Sequence, residues 1–189
     1  MGEDKALMPF LGEPLINRLV SKFADLGDEL LVITNRPEAY RFLELPLYTD
    51  VIPERGALGG LYTALKISSG TAVGLIACDM PFASPELIDG CRSILQEKDL
   101  DAVIPTDEEG LQPLHAVYRR ETCLPMVKSA IDQDQWRMIS WHEHAEVLYL
   151  SPQKTRQLAG TRQTFLNLNT PEQYREAEKL ARRLAEHTD

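Results

Sequence analysis

Four polar motifs adjoin apolar segments of the sequence, and two of them carry oxygen ligands suited to a cation. Asp79 follows the apolar run Ala72 to Ala77, where a carboxylate without a partner would be costly. It could hold Mg²⁺ shared with substrate phosphates, or instead cap the helix that follows. Asn167 and Asn169 alternate along an extended segment and could offer carbonyl oxygens to the same cation, unless Asn169 is a turn residue.

The other two motifs could bind a phosphorylated ligand. Lys5 lies in an acidic segment before a helix and could place a point charge on a phosphate, or be a solvated surface lysine. Asp50 is followed by Arg55 and by three glycines, Gly56, Gly59 and Gly60. Glycines let a backbone approach a ligand closely, although loops also need them for their turns.

Three weaker patterns have ordinary structural interpretations. His115 is predicted to be a packed or hydrogen-bonded histidine. Residues 141–144, Trp-His-Glu-His, resemble a metal-binding pair but are interpreted as solvated surface, because no third ligand is near in the sequence. Arg36, Arg55 and Arg137 could bind phosphate or only solubilise the surface.

These motifs require elements that position them, and the apolar pattern predicts alternating helices and strands. Helices are predicted over residues 13–26, 37–43, 58–67, 84 onward, 121–131 and 171 onward, and extended segments over 30–33, 47–52, 72–77, 101–105, 115–118, 146–150 and 165–168. The run 30–33 is predicted to be a strand buried on both faces, and the run 72–77 is the clearest buried strand of the sequence. This alternation predicts an α/β fold with a mostly parallel sheet, helices on both faces and ligands at the carboxyl ends of the strands.

Composition limits the class of protein. The chain has 189 residues with a formal net charge of −9, which argues against coating nucleic acid or an anionic membrane. Its three cysteines form no CxxC pair and predict reduced thiols in a cytoplasmic protein. No apolar run approaches the length of roughly 20 residues that a membrane span needs.

Taken in order, the motifs resemble those of the molybdenum cofactor guanylyltransferases, nucleotidyltransferases of the glycosyltransferase-A-like fold. The matching residues run from 2 to 172 and are Asp4-Lys5-Ala6-Leu7, Gly12-Glu13-Pro14-Leu15, Thr34-Asn35-Arg36, Asp50, Gly56-Ala57-Leu58-Gly59-Gly60, Cys78-Asp79-Met80-Pro81, Gln112-Pro113-Leu114-His115-Ala116-Val117-Tyr118 and Asn167-Leu168-Asn169-Thr170-Pro171-Glu172. The resemblance implies a single domain over residues 1–189, a Rossmann-like three-layer sandwich with a mostly parallel, mixed sheet.

The resemblance also implies the reaction, in which GMP is transferred from GTP to molybdenum-molybdopterin and pyrophosphate is released. It makes Lys5 and Asp79 the catalytic residues and Asp79 and Asn169, with Asn167, the ligands of Mg²⁺. GTP contacts are implied for Lys5, Asn35, Asp50, Gly59, Gly60 and Asp79. Whether molybdoenzymes or their chaperones receive the product is left open. The alternatives are a cytidylyltransferase, another nucleotidyltransferase of the same fold, or an inactive nucleotide-binding remnant.

The start of the chain departs from the family pattern. The family begins with an apolar strand and a glycine-rich loop, and Met1-Gly2 matches only the last two residues of that loop. We therefore expect the first strand, the loop glycines and an arginine at the triphosphate to be missing, through a late start assignment or a real truncation. Loss of a central strand would leave two inner strand edges unpaired.

Overall fold

The structure is a computed structural model that describes residues 4–186, with the side chains of 185 and 186 excepted. The expected Met1-Gly2 loop end lies outside these residues. The strands are β1 Pro9–Phe10, β2 Glu13–Pro14, β3 Val32–Ile33, β4 Leu47–Tyr48, β5 Ala72–Ile76, β6 Ala102–Pro105, β7 His115–Arg119 and β8 Val147–Leu150. The α-helices are α1 Leu15–Phe23, α2 Gly56–Ile67, α3 Pro85–Glu97, α4 Arg120–Asp132, α5 Pro152–Ala159 and α6 Pro171–Glu186. Short 3-10 helices span Lys5–Leu7, Pro37–Leu43 and His142–His144.

The main sheet has four strands in the order β5-β7-β6-β8. β6 and β8 are parallel, whereas β7 runs antiparallel to both of its neighbours. β7 is reversed because residues 106–114 turn back at Gly110 and are too few for a parallel crossover, which needs about a dozen residues. The predicted α/β fold with a mixed sheet is confirmed.

Helices cover both faces of this sheet and form a three-layer arrangement. Alternate strand residues point to opposite faces, so Val103 and Val117 join one core with α1, α3, α5 and α6. Ala102, Ile104 and Tyr118 join the second core with α2 and α4. Both cores are fully buried at their centres, which fixes the strand register, since a one-residue slip would exchange the two faces.

β3 and β4 form a separate, parallel two-stranded sheet. A cleft of about 1180 Å³ lies between β3 and β5 and is also lined by α1 and α2. The predictions that residues 30–33 are buried on both faces and that residues 72–77 are buried are therefore wrong. Both segments are mostly half-buried, and Gly74 is exposed, because the cleft opens along one edge of each strand.

Several helices begin where the sequence predicts, whereas two segments differ from the prediction. Ser84 caps α3 by accepting a hydrogen bond from Leu87 N at 3.1 Å. Thr170 and Gln173 form the predicted capping box of α6. Residues 165–168, predicted to be extended, form no strand, and α5 was not predicted, although Ser151-Pro152 repeats the start signal of α3.

The short elements near the amino-terminal end place the first polar motif. β1 and β2 form a hairpin whose turn residues Leu11 and Gly12 have φ of 55° and 93°. α6 packs across this hairpin, since Tyr174 Oη donates to Met8 O at 2.9 Å and Glu178 Oε1 accepts from Leu11 N at 2.7 Å. No helix within residues 4–186 is both long and apolar enough to span a membrane.

Candidate functional site

Lys5, Asp79 and Asn169 meet at one end of the cleft. Lys5 Nζ donates a hydrogen bond of 2.6 Å to Asn169 Oδ1 and lies 3.7 Å from Asp79 Oδ2. The side chains of Lys5 and Asp79 are about a quarter exposed, so they remain reachable from the cleft. Three residues from distant parts of the sequence thus form one charged cluster.

Local structure holds each member of this cluster in place. Asp4 caps the 3-10 helix that carries Lys5, with its carboxylate accepting from Ala6 N at 3.3 Å. Asp79 lies just after β5, and its carbonyl accepts from Leu168 N at 3.1 Å. That bond brings the segment before α6 alongside Asp79.

The structure decides between several of the sequence alternatives. Asp79 is not a helix cap, because Ser84 caps α3 and the Asp79 carboxylate faces Lys5. Lys5 is not a solvated surface lysine. Asn169 serves both as a residue ahead of α6, through Asn169 N and Gln173 Oε1, and as a cluster member. Asn167 has no side-chain hydrogen-bond partner within residues 4–186 and does not join the cluster.

A second polar pair lines the same cleft. Asn35 Nδ2 donates to Asp50 Oδ2 at 2.8 Å, and Asp50 N donates back to Asn35 Oδ1 at 3.2 Å. These two bonds fix the orientation of the carboxylate. Its other oxygen, Oδ1, is buried and has no hydrogen-bond partner among the described residues, so it is an acceptor available to a ligand.

The glycines after Asp50 have different surroundings. A Cβ at Gly59 would lie 2.9 Å from Arg55 Cβ and 3.2 Å from Ile52 O, so glycine is needed there for α2 to pack against its preceding loop. A Cβ at Gly60 would meet nothing within 4 Å, and this residue lines the cleft. Thr63 Oγ1 accepts from Val51 N at 3.0 Å and donates to Gly59 O at 2.8 Å, which fastens the loop to α2.

Two groups beside the cluster have perturbed protonation. Cys78 is open to the cleft, but desolvation by the cleft walls, together with Asp79 and Asp4, raises the pKa of its thiol to about 11. The thiol is therefore protonated at neutral pH and is not a nucleophile. Burial and a hydrogen bond to Asp4 raise the pKa of Tyr40.

The weaker candidates lie away from the cluster or take structural roles. His115 is fully buried between the rings of Phe23 and Phe165, and burial lowers its pKa to about 4. The prediction of a packed histidine is confirmed. Arg55 pairs with Asp134 and stacks at 4.6 Å on Trp136, whereas Arg36 lies 3.8 Å from Asp4.

The interpretation of residues 141–144 as solvated surface is wrong for its first half. Trp141 is 1% exposed, and its Nε1 donates to Met138 O at 3.0 Å. His142 is buried beside it, with Nδ1 at 3.0 Å from Tyr149 Oη. The indole completes the core below α4 by packing on Tyr118, which local sequence could not reveal. Glu143 and His144 are exposed, as expected.

Within the described residues, no group of three or more His, Cys, Asp or Glu side chains is arranged to hold a metal ion. The available donors for a hard cation are the Asp79 carboxylate and the Asn169 amide oxygen, with Lys5 Nζ between them. This set fits Mg²⁺, which binds proteins through one or two carboxylates, keeps several waters and takes further ligands from substrate phosphates.

Sequence reasoning did not identify Asp4, Tyr40 and Thr63 as residues that support the site. Asp4 entered only as part of an acidic segment and of the motif Asp4-Lys5-Ala6-Leu7, although an aspartate directly before a short helix is a capping signal. Tyr40 and Thr63 act through contacts with residues distant in sequence, and no local pattern marks them.

The fold and this cluster define an α/β protein with an open polar site at the strand ends. The family model of the MobA-like NTP transferase domain matches residues 1–147. A probable molybdenum cofactor guanylyltransferase of Natranaerobius thermophilus is 30% identical over 183 residues, covering 95% of this chain and 89% of that protein. One from Peptoclostridium acidaminophilum is 28% identical over 181 residues, covering 93% and 81%.

A solved structure shows the same fold. The crystal structure of molybdopterin-guanine dinucleotide biosynthesis protein A from Archaeoglobus fulgidus superposes with a TM-score of 0.83 at 23% identity, covering 96% of this chain and 92% of that one. The chain belongs to the MobA-like NTP transferase family, a family of nucleotidyltransferases. The family predicted from the sequence motifs is confirmed.

Proposed function

We propose that this protein transfers GMP from GTP to molybdenum-molybdopterin, forming the guanine dinucleotide cofactor and pyrophosphate. The observation that carries the proposal is the Lys5–Asp79–Asn169 cluster at the end of the cleft, where an ammonium lies between two oxygen ligands. The Lys5 ammonium places positive charge at this point, where a bound triphosphate would require it. The names of the relatives at 28% and 30% identity support guanosine as the nucleoside.

Lys5 is proposed to move from Asn169 onto the phosphates of GTP. Its side chain is a flexible ammonium on a long stem, and its Nζ lies only 3.7 Å from Asp79 Oδ2. Asp79 and Asn169 would hold Mg²⁺ once Lys5 has moved, without Asn167, which does not join the cluster. When bound, Mg²⁺ would neutralise charge on the α-phosphate and on the leaving pyrophosphate.

Asp50 is proposed to accept a hydrogen bond from guanosine through Oδ1, the buried oxygen that has no other partner. Asn35 keeps that carboxylate in place through its two hydrogen bonds. Gly60 would let the backbone approach the nucleotide, because no side chain intervenes there. Gly59 would support nucleotide binding indirectly, because it allows the loop before α2 to pack against that helix.

The transfer needs no nucleophile from the protein. An oxygen of the pterin phosphate attacks the α-phosphorus of GTP, and the bond from that phosphorus to the β-bridging oxygen breaks, so that pyrophosphate leaves with the electron pair. The chain's own contribution is positioning and charge neutralisation, the main terms in phosphoryl-type transfers. The high pKa of Cys78 agrees with this, since its thiol does not compete as a nucleophile.

The free thiols of the three cysteines suit a reducing compartment, so we place the reaction in the cytoplasm. The dinucleotide product would then pass to molybdoenzymes or to their chaperones.

The test is pyrophosphate release from GTP, CTP, ATP and UTP, each with Mg²⁺ and with or without molybdenum-loaded pterin. We expect release with GTP that depends on the pterin. Lys5→Met should lower it at least tenfold, whereas Lys66→Met, which removes an exposed lysine of α2, should not.

Two results would contradict the proposal in different ways. Preference for CTP would indicate a cytidylyltransferase of the same fold. Binding of GTP without release of pyrophosphate would indicate a nucleotide-binding protein without this activity.

A further inference from the structure

The buried imidazole of His115 contacts both segments that supply the donor oxygens of the cluster. On one side Ser84 N donates a hydrogen bond of 3.4 Å to His115 Nε2. On the other side the ring of Phe165 packs edge-on against the imidazole, with the ring centroids 5.6 Å apart. Ser84 ends the loop that carries Asp79. Phe165 lies in the segment that leads to Asn169, so one side chain connects the supports of both donors.

The loop after β5, residues 77–84, is fixed at both ends by two consecutive residues. Ala77 N donates to Leu114 O at 2.8 Å, and at the other end Ser84 N donates to His115 Nε2. Fixing both ends removes backbone conformations that the loop would otherwise sample. The hydrogen bond to His115 therefore restrains the whole loop and not only its last residue.

The loop and the second segment also contact each other directly. Leu168 N donates to Asp79 O at 3.1 Å. Phe165 and Leu168 are both buried in the core that α1 and α3 share. Because these two residues lie in one short segment, a shift of Phe165 on the imidazole would also shift the hydrogen bond that holds Asp79.

The hydrogen bond from Ser84 N explains why the residue at this position carries a nitrogen. A backbone N–H can only donate, so His115 Nε2 is the unprotonated acceptor and Nδ1 carries the proton. Nδ1 is buried and has no hydrogen-bond partner among the described residues, which has a cost in free energy. An apolar side chain would fill the same space without this cost. The acceptor at Nε2 is therefore what histidine adds here.

We propose that His115 is a positioning residue of the metal site, whose imidazole fixes the loop of Asp79 and the segment of Asn169 so that their donor oxygens converge. This inference rests on the proposed function, because it concerns the Mg²⁺ ligands assigned there. His115 acts through Ser84 and Phe165 rather than by contact with the nucleotide or the cation.

Three substitutions separate the acceptor from the volume of the ring. His115→Gln places an amide oxygen near the former position of Nε2, His115→Asn places one near that of Nδ1, and His115→Leu has no acceptor. The affinity of the whole chain for Mn²⁺, a substitute for Mg²⁺, is measured by electron paramagnetic resonance with GTP present. We expect His115→Leu and His115→Asn to lower this affinity by about tenfold or more, as loss of a group that orients a metal ligand does. His115→Gln should stay within about threefold of the parent chain.

Val127→Ala is the control for loss of stability alone. Val127 is fully buried in the second core, with α2 and α4, and belongs to neither segment of the metal site. The substitution should lower the urea concentration at the midpoint of unfolding and leave the affinity for Mn²⁺ unchanged. Every variant is compared with the parent chain without urea, after circular dichroism has shown the native fold.

Amide hydrogen exchange tests the same support without nucleotide or metal. In His115→Leu, exchange at Leu168 N, which is bonded to Asp79 O, should accelerate at least tenfold more than exchange at Val73 N. Val73 is the reference because it lies within the β5–β7 ladder. His115→Gln should restore most of the protection of Leu168 N.

The other outcomes overturn the proposal. Equal affinity for Mn²⁺ in the parent chain and His115→Leu would mean that the imidazole does not position the donors. Equal losses in His115→Gln and His115→Leu would mean that the acceptor is not the feature that matters. A tenfold loss in Val127→Ala would assign the effect to stability.

Failure of the proposed function has a different signature. If the parent chain bound no Mn²⁺, the assigned metal site would be wrong whatever the residue at position 115. Hydrogen exchange would then decide alone whether His115 holds the two segments together, and unchanged exchange at Leu168 N in His115→Leu would overturn that role.

Discussion

Burial of His115 predicts a defined loss of stability in mild acid. Burial lowers the pKa of His115 from 6.5 to about 4 in the folded chain, so the folded state binds fewer protons than the unfolded state between these values. Stability contributed by the neutral imidazole is therefore present above pH 6.5 and is lost as the pH falls toward 4. At 1.36 kcal/mol per pH unit the full loss is about 3 kcal/mol, of which about 2 kcal/mol falls between pH 7 and pH 5.

The assay is urea denaturation of the parent chain and of His115→Leu at pH 7 and pH 5. The variant loses the acceptor for Ser84 N and should be less stable at pH 7. Its disadvantage should shrink by about 2 kcal/mol at pH 5, because leucine takes up no proton. His142→Leu should behave similarly, since burial also lowers the pKa of His142 to about 4. His144→Leu is the exposed control.

Parallel pH profiles for the parent chain and His115→Leu would refute this reasoning. They would mean that the imidazole becomes protonated in the folded chain as readily as in the unfolded one. Nuclear magnetic resonance of the His115 ring gives an independent reading, because a ring that stays neutral at pH 5 keeps the chemical shift of neutral imidazole.

Further predictions concern the supports of the site. Thr63→Val leaves Val51 N without its acceptor and should lower the free energy of unfolding in urea by about 1–2 kcal/mol, whereas Thr63→Ser, which keeps the hydroxyl, should cost less. Equal losses in the two variants would contradict the role of the hydroxyl. Thr170→Ala removes the cap of α6 and should cost about 1 kcal/mol by the same measurement. The matched control Thr71→Ala, at an exposed threonine that caps no helix, should cost less than half of that. Asp50→Asn should weaken GTP binding, measured by calorimetry, at least tenfold while leaving the melting temperature within a few degrees; unchanged affinity would remove Asp50 from the nucleotide site.

The fold class could be predicted because periodic apolar runs and capping signals are local. The run before Asp79 marked β5, and Thr170-Pro171 marked the start of α6, both within a residue or two. The reversed direction of β7 was not predicted, since it depends on the length of the connection at Gly110 rather than on the strand itself. The prediction that residues 30–33 are buried was wrong for a related reason. An apolar strand is buried on both sides only where neighbouring strands pair with its edges.

The site was predicted in part. The resemblance carried by the ordered motifs assigned Lys5, Asp79 and Asn169 to one site, and the structure places them in contact. The contact itself depends on α6 packing across the β1–β2 hairpin, through Tyr174 and Met8, which no local pattern encodes. The prediction for Trp141 was wrong because residues 141–144 were considered only as a metal-binding pattern without a third ligand, whereas the indole fills the core beside Tyr118.

The central claim is that the Asp79 carboxylate holds a divalent cation against the phosphates of a nucleotide. The most direct measurement is electron paramagnetic resonance of Mn²⁺, a substitute for Mg²⁺, titrated with the protein in the presence of GTP. The account predicts that Asp79→Asn lowers the affinity for Mn²⁺ at least tenfold, whereas the exposed control Asp25→Asn leaves it unchanged. Equal Mn²⁺ binding by the parent chain and Asp79→Asn would contradict it.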